Sequence, residues 1–407
     1  MGLYASALAS VALRGARSTA EVAARVREAA SRAEAGRWVI GRGYDLNLFA
    51  PGDTPHARIL DGATTDHPVF LTSHDVHACW VSSSALRLAH VGRGVQPPPG
   101  GIIERDPSGD PTGVMYETAV RLVEAVLPKR TLEQMKDDLA LVQEDFLRRG
   151  VRFAQDLDPD TEEAWRALDD EGKLEMGIAT AIPSRELRRA IREGRRTGEG
   201  TARLKLGGVK FFVDGALGSR TAAMLEPYAD RADWSGTLLM TPDRIREELL
   251  LCRDAGLKPL VHAIGDRAVQ VVIDAILAIG RFPSGLEPRI EHAQTIADQD
   301  LDRFAESGAI ASMQPNHLWT DIDVAPSALG TRSRLMFRCG SLLARGVKLI
   351  FGTDAPVEEP DPMLGVTLAE TRRRPGRDEP PFHPEEAIPR AAALAAATSI
   401  AQAELGF

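Results

Sequence analysis

Four residues in the second half of the chain have side chains that could bind a metal ion or transfer a proton, and each lies in a short apolar run or at its end. They are Lys210, His262, His292 and Asp354, in the segments GGVKFFVDGALGSR, KPLVHAIGDRA, RIEHAQ and KLIFGTDAPVEEPDP. A hydrolytic metal centre needs neutral imidazoles or carboxylates as ligands, an open position for water, and a base for the proton of that water. The series therefore predicts most of a metallohydrolase site with a divalent cation.

Each of these residues also has a structural interpretation. A buried histidine can be satisfied by a backbone carbonyl, although this explains two histidines at successive strand ends less well than one. Asp354 could cap the segment after it. Lys210, inside the apolar VKFF, would be costly as an ammonium unless paired, and Asp214 and Asp354 are the candidate partners. Carboxylation by CO2 would instead turn Lys210 into a carbamate able to bridge two cations.

The segments that must position these residues alternate in pattern from about residue 150 onward: a short apolar run, then a longer charged stretch of helical periodicity. The runs are VRFAQDL (Val151), MGIATAI (Met176), VKFFVDG (Val209), LVHAIGD (Leu260), RIEHAQ (Arg289), IASMQPN (Ile310) and LIFGTDA (Leu349). This alternation predicts a parallel sheet in an α/β fold of the TIM-type (β/α)8 barrel class, with the chemistry at the carboxyl ends of the strands. A doubly wound sheet is the rival, but the Gly-rich phosphate turn typical of it is absent from the sequence.

The first 150 residues lack this regular alternation of apolar runs and helical stretches. WVIGRGYD and HPVFLTSHDVHACWVSSSAL are strand-like, whereas residues 91–117 are rich in Gly and Pro and predict turns with one hairpin. We expect residues 1–37 to form the first barrel helix region, residues 38–128 an inserted α+β subdomain over the barrel mouth, and residues 129–407 the barrel core. The Gly/Pro-rich segment is either a lid or a surface connection.

Composition narrows the class of ligand. The chain has 407 residues and a net charge of -9, which argues against nucleic acid or an anionic membrane as partner and favours a small molecule. Three widely spaced cysteines indicate buried free thiols in a reducing compartment. No apolar run approaches the ~20 residues of a membrane-spanning helix, and the opening MGLYASALASVALRG is interpreted as an amphipathic helix. We expect a cytoplasmic protein.

Five segments resemble consecutive blocks of the metal-dependent amidohydrolase superfamily, in the branch of the N-substituted formamide deformylases: VKFFVDGALGSRTAAMLEPY, LVHAIGDRAV, RIEHAQ, SMQPNH and FGTDAPVEEPDPMLG. Upstream, GYDLNLF, SHDVHACWVSSSALRL and RDPSGDPTGVMYE resemble the inserted segment of that branch. The resemblance implies that Lys210 is a carboxylated bridging lysine, that His262 and His292 are metal ligands, and that Asp354 binds metal and activates water. It implies zinc, with iron or manganese as alternatives and one or two ions bound.

Seven further residues are candidate substrate contacts, four in the insertion and three in the barrel. For those in the insertion, packing or a supporting hydrogen bond is the competing interpretation, and for His317 it is an ordinary loop position. The candidates are His74, Asp75, His77, Trp80, Gly218, Arg220 and His317.

The sequence also departs from the family pattern. A His-x-His pair should end the first barrel strand, but none of the nine histidines forms one. The chain stops at TSIAQAELGF, before the family's usual return to a β-sandwich. Trimmed ends, a natural short form and a substitute segment are the three explanations, and we favour trimming because an unclosed barrel exposes unpaired strand edges. Without the pair, Lys210, His262 and His292 remain as a three-ligand site with Asp354 as base.

We therefore expect a barrel without its first strand that hydrolyses a carbon–nitrogen bond other than a peptide bond, in an amide or N-substituted formamide. The rival is a catalytically impaired or inactive barrel that binds a ligand or partner. A weaker alternative is an isomerase or deacetylase of the same superfamily, because fold does not fix reaction. A homodimer is the assembly considered.

Overall fold

The structure is a computed structural model that describes residues 1–8, 10–34, 36–128 and 130–407. These residues divide into two compact units. The first contains Met1–Leu3 and Thr131–Phe407, and the second contains Tyr4–Arg130. The predicted division at residues 37 and 128 stays a prediction, and each unit is described by itself below.

The strands of the described residues are, in chain order, β1 Val11–Ala12, β2 Val39–Tyr44, β3 Val69–Ser73, β4 Ala78–Val81, β5 Gly101–Arg105, β6 Pro111–Glu117, β7 Phe153–Asp156, β8 Gly177–Pro183, β9 Leu204–Phe212, β10 Pro259–Ala263, β11 Arg289–His292, β12 Ile310–Met313 and β13 Leu349–Phe351. The helices are α1 Gly2–Leu8, α2 Thr19–Ala30, α3 Ala57–Asp61, α4 Ser83–Leu88, α5 Arg121–Glu124, α6 Leu132–Arg148, α7 Glu162–Asp170, α8 Leu187–Arg192, α9 Pro242–Ala255, α10 Asp266–Ile279, α11 Leu301–Ser307, α12 Leu318–Leu329, α13 Cys339–Leu343, α14 Pro362–Thr371, α15 Arg390–Ala397 and α16 Ser399–Leu405.

The first unit is built on a parallel sheet. Within the described residues its seven strands follow the order β13-β12-β11-β10-β9-β8-β7, and every neighbouring pair is parallel. Each predicted apolar run overlaps one of these strands. The prediction of a TIM-type α/β fold is confirmed at this level, whereas the missing first strand and the inserted subdomain stay predictions.

Alternation along each strand sorts side chains between the two faces of this sheet. One face packs against the helices, and its residues belong to the largest buried cluster of the molecule; they include Val209, Phe211, Val261, Ile290 and Ala311. Lys210, His262 and Glu291 alternate with them and lie on the other face. The apolar residues therefore hold the sheet against the helices, while the polar ones collect on its concave side.

Strand β9 begins at Leu204, earlier than the predicted run that starts at Val209. Gly207 and Gly208 interrupt the apolar pattern there, and the pairing register between β8 and β9 shifts close to these glycines. Gly208 has a φ of 155°, and a Cβ at this position would lie 2.3 Å from the carbonyl oxygen of Lys258. Only glycine lets the two backbones approach this closely.

The helices after the strands have recognisable ends. Thr241 caps the amino end of α9 through its side chain, Pro242 occupies the first turn, and Gly256 ends the helix in the left-handed conformation with a φ of 68°. Thr131 and Gln134 form a capping box on α6. Local sequence therefore fixes where these connecting helices begin and end.

The second unit contains a mixed sheet whose described strands follow the order β1-β2-β3-β4-β6-β5. Strands β5 and β6 pair antiparallel, which is the hairpin predicted in the Gly/Pro-rich segment. Trp80 is fully buried in this unit and packs edge-on against Tyr44, with ring centroids 6.0 Å apart. Among the helices that the structure describes, none combines the length and the apolar content needed to cross a bilayer.

We expect Gly208→Ala to lower the free energy of unfolding by about 3 kcal/mol or more. The new Cβ would clash with the backbone of the neighbouring strand, which cannot move aside as a flexible side chain could. The matched control is Gly194→Ala, where φ is 73° and no atom lies within 4 Å of the new Cβ. Its cost should be about 1 kcal/mol. Thermal unfolding of both variants measures the difference, and equal melting temperatures would contradict the close approach at Gly208.

Candidate metal centre

The carboxyl ends of neighbouring parallel strands bring the candidate residues of the first unit together. His262 lies in β10, His292 ends β11, and Asp354 follows β13. His317 ends a short 3-10 turn that follows β12. Because parallel strands share one carboxyl edge, side chains far apart in sequence meet there.

Three of these side chains form a group able to hold a metal ion. Ligand atoms of His292, His317 and Asp354 all lie within 4.8 Å of one another. His317 Nε2 is 3.5 Å from Asp354 Oδ2, and the side chains are 11% and 34% exposed. Two imidazoles and a carboxylate are a donor set suited to zinc, and also to iron or manganese. The residues present therefore fit a divalent metal.

Sequence reasoning placed His317 among the substrate contacts, whereas the structure places it beside two predicted ligands. Burial by itself would lower the pKa of His317, but the neighbouring carboxylate of Asp354 outweighs burial and raises that pKa. The signal that could have found this residue is its place in SMQPNH, directly after β12, the strand between those of His292 and Asp354.

His262 lies next to this group without belonging to it. Its ring centroid is 4.5 Å from that of His292, and its Nε2 is 3.0 Å from the carbonyl oxygen of Gly215. In a neutral ring this contact makes Nε2 the donor and Nδ1 the acceptor nitrogen. Imidazoles that bind metals usually donate their other N–H in this way, so the predicted role of His262 as a ligand stays a prediction that its hydrogen bond favours.

Lys210 is buried, with 5% of its surface exposed. Among the residues that the structure describes it forms no ion pair with either predicted partner, and its Nζ lies 4.7 Å from the centroid of the Phe212 ring. Burial lowers the pKa of Lys210, while the charges of Glu291 and Asp354 oppose that shift. A lysine in this setting carries a larger neutral fraction than an exposed one.

Asp214 is a structural residue of the site that sequence reasoning treated only as a partner for Lys210. It is fully buried, and its Oδ1 accepts from the Ile264 N–H at 3.0 Å. Its Oδ2 accepts from the Gly265 N–H at 2.8 Å and from the Ala223 N–H at 2.9 Å. One carboxylate thus ties the loop after β9 to the connection between β10 and α10.

The backbone is strained where two of the candidate ligands lie. His292, Ala293 and Asp354 have φ values of 71°, 42° and 56°. Non-glycine residues in this region cost about 1–3 kcal/mol each and persist only where the surrounding structure enforces them. Strain of this kind clusters at functional sites, and here it aims the side chains that end β11 and follow β13.

The predicted substrate contacts in the loop after β9 have local partners. Arg220 Nη2 is 2.7 Å from Asp230 Oδ2, and its Nη1 donates to the carbonyl oxygens of Leu217 at 3.2 Å and Gly218 at 3.0 Å. These bonds give Arg220 a role in holding its own loop. Substrate contact by Gly218 and Arg220 stays a prediction.

The other predicted contacts belong to the second unit. His77 Nδ1 is 3.0 Å from Glu117 Oε2, and Asp75 Oδ1 accepts from the Ser73 hydroxyl at 2.6 Å. Trp80 has no exposed surface, which favours its packing interpretation. Contact of His74, Asp75, His77 and Trp80 with a substrate stays a prediction.

Comparison with known proteins extends over nearly the whole chain. A sequence model of the amidohydrolase family matches residues 3–406. Protein LONG AFTER FAR-RED 3 of Arabidopsis thaliana is 32% identical over 411 residues, which cover 96% of this chain and 70% of that protein. The N-substituted formamide deformylase of Arthrobacter pascens is 24% identical over 374 residues, 87% of this chain and 67% of the deformylase.

A solved structure also resembles this chain. An uncharacterized metal-dependent hydrolase from Pyrococcus horikoshii OT3 superposes with a TM-score of 0.77 at 27% identity. The superposition covers 99% of this chain and 79% of that one.

We expect Asp214→Asn to lower the free energy of unfolding by about 2 kcal/mol or more, because an amide has one acceptor oxygen and leaves a buried N–H without its bond. The matched control is Asp302→Asn, whose carboxylate is 87% exposed and paired with Arg345. It should change stability by no more than about 0.5 kcal/mol. Calorimetric melting of both variants checks this. An unchanged melting temperature for Asp214→Asn would contradict the role of Asp214 in joining the two segments.

Proposed function

The chain belongs to the amidohydrolase family, and from this premise we propose that it is a metal-dependent hydrolase of small molecules that cleaves a carbon–nitrogen bond other than a peptide bond. The resemblance read from the sequence is thereby confirmed, and the formamide deformylase is a distant homologue. The substrate class proposed is an amide or N-substituted formamide. The observation that carries the proposal is the convergence of His292, His317 and Asp354 within 4.8 Å.

His292, His317 and Asp354 would hold the metal, and His262 would join them through Nδ1. When bound, a divalent cation such as zinc supplies a Lewis acid that polarises the amide carbonyl and lowers the pKa of a water molecule. Asp354 is the group we assign to accept the proton of that water, because its carboxylate is the most exposed member of the cluster. The imidazole of His317 lies 3.5 Å from the Asp354 carboxylate and helps to keep it in place.

Lys210 is proposed to carry a carbamate. The lone pair of its neutral amine would attack the carbon of CO2, so that an N–C bond forms, a C=O electron pair moves to oxygen, and one N–H proton leaves to solvent. Burial supports this step because it disfavours the ammonium. The product would be an anionic oxygen donor able to bind a cation.

Family membership and a metal-dependent hydrolase among the similar structures favour an enzyme over the inactive binding protein. The described residues supply ligands for one metal, and this sequence contains no His-x-His pair for another. The missing first barrel strand, the substrate contacts in both units, a homodimer and a cytoplasmic location stay predictions.

We expect the metal-free protein to bind zinc, and His317→Ala to weaken that binding by about tenfold to a hundredfold or more. The matched control is His383→Ala, since His383 lies outside the cluster with its Nε2 3.1 Å from Ser333 Oγ. Calorimetric titration measures both variants. Equal affinity of the wild type and His317→Ala would contradict the assignment.

Zinc affinity should also depend on pH. Asp354 raises the pKa of His317, and the proton it favours must leave before that nitrogen can bind a cation. The affinity of the wild type should therefore rise as the pH rises through the pKa of His317.

Chelation should abolish amine release from N-substituted formamides and acetamides, and release that survives complete metal removal would refute the proposed mechanism.

A further inference from the structure

The concave face of the parallel sheet contains an ion pair that the proposed chemistry does not use. Arg289 and Glu291 lie two residues apart in β11, 4% and 2% exposed, with Arg289 Nη2 2.7 Å from Glu291 Oε1. Moving two charges out of water costs several kcal/mol per ion, and an apolar pair of similar volume is often as stable. Stability alone therefore does not require this pair.

Arg289 is fixed from both sides. Its Nη1 donates to Gln155 Oε1 of β7 at 2.7 Å, and its Nη2 is 3.4 Å from Ser312 Oγ of β12. The absence of a side chain at Gly207 leaves room for the Gln155 amide, since a Cβ on Gly207 would lie 2.3 Å from Gln155 Nε2. These contacts hold the guanidinium of Arg289 in a defined position across the sheet. The Glu291 carboxylate is ion-paired with it.

Lys210 shares this face. In the register of the sheet Lys210 is level with Leu260, and Leu260 is level with Arg289. Burial lowers the pKa of Lys210 and the charge of Glu291 opposes that shift, yet the two form no ion pair among the described residues. A buried lysine and a buried glutamate on one face would attract each other strongly if the glutamate could turn.

We propose that Arg289 is a positioning residue that holds the Glu291 carboxylate away from Lys210, so that the Lys210 nitrogen remains available to react with CO2 and join the metal centre. This inference rests on the proposed carbamate of Lys210. Glu291 supplies a negative charge that holds Arg289 in the interior, and Arg289 in turn prevents that charge from capturing Lys210.

The test measures the carbamate directly. The full-length protein is equilibrated with 13C-labelled bicarbonate, and the carbamate carbon is quantified by 13C NMR with the zinc content of each sample. We expect Arg289→Met to reduce the carbamate signal and bound zinc at least about tenfold, because Glu291 then pairs with Lys210. The double variant Arg289→Met/Glu291→Met should restore both to within about twofold of the wild type, since the capturing carboxylate is gone.

The matched control is Arg338→Met, which breaks another buried Arg–Glu pair, with Arg338 Nε 2.9 Å from Glu386 Oε1, outside the candidate centre. It should lower the melting temperature and leave the carbamate unchanged. If Arg289→Met does not fold, Arg289→Lys takes its place; it keeps the positive charge and should retain the carbamate signal within about twofold.

Two results would overturn the inference while leaving the carbamate intact: a full signal in folded Arg289→Met, or a folded double variant that stays without signal. Loss of signal in folded Arg289→Lys counts against it equally. A wild type without any carbamate signal overturns both the inference and the proposed role of Lys210. Failure of the inference is therefore distinguishable from failure of the proposed function.

Discussion

Parallel pairing is the constraint on which the rest of this structure depends. Strands that run in one direction must all leave the sheet at the same edge, and β10 to β13 end in or near His262, His292, His317 and Asp354. No interaction between these four residues is needed to bring them together, because the hydrogen-bonded register does so. The apolar residues on the opposite face supply the burial that stabilises the sheet.

Register alone does not aim side chains, and the chain uses two further devices for that. Asp214 fixes three backbone N–H groups around the ends of β9 and β10. At His292 and Asp354 the backbone adopts positive φ, a cost that only a well-anchored surrounding structure can sustain. The concave face adds a third feature, a charged layer of Lys210, Arg289 and Glu291, in which the lysine stays outside the ion pair.

Much of the fold could be predicted because buried strands require apolar residues: each run from Val151 to Leu349 overlaps a strand. The start of β9 was missed because Gly207 and Gly208 carry no apolar signal. His317 was placed with the substrate contacts because it follows a turn rather than ending a strand, so only the three-dimensional register reveals its neighbours. The role of Asp214 could not be predicted because its hydrogen-bond donors are backbone N–H groups of other segments. Every residue type except proline has such a group, so the sequence gives no signal for it.

The proposed metal site is tested most directly by a crystal structure of the zinc-loaded protein, with anomalous scattering recorded on both sides of the zinc absorption edge. We predict an anomalous peak within coordination distance of His292, His317 and Asp354, at roughly 2.0–2.2 Å from each ligand atom. A zinc-loaded crystal whose anomalous peak lies away from these residues, or that has none there, would contradict it.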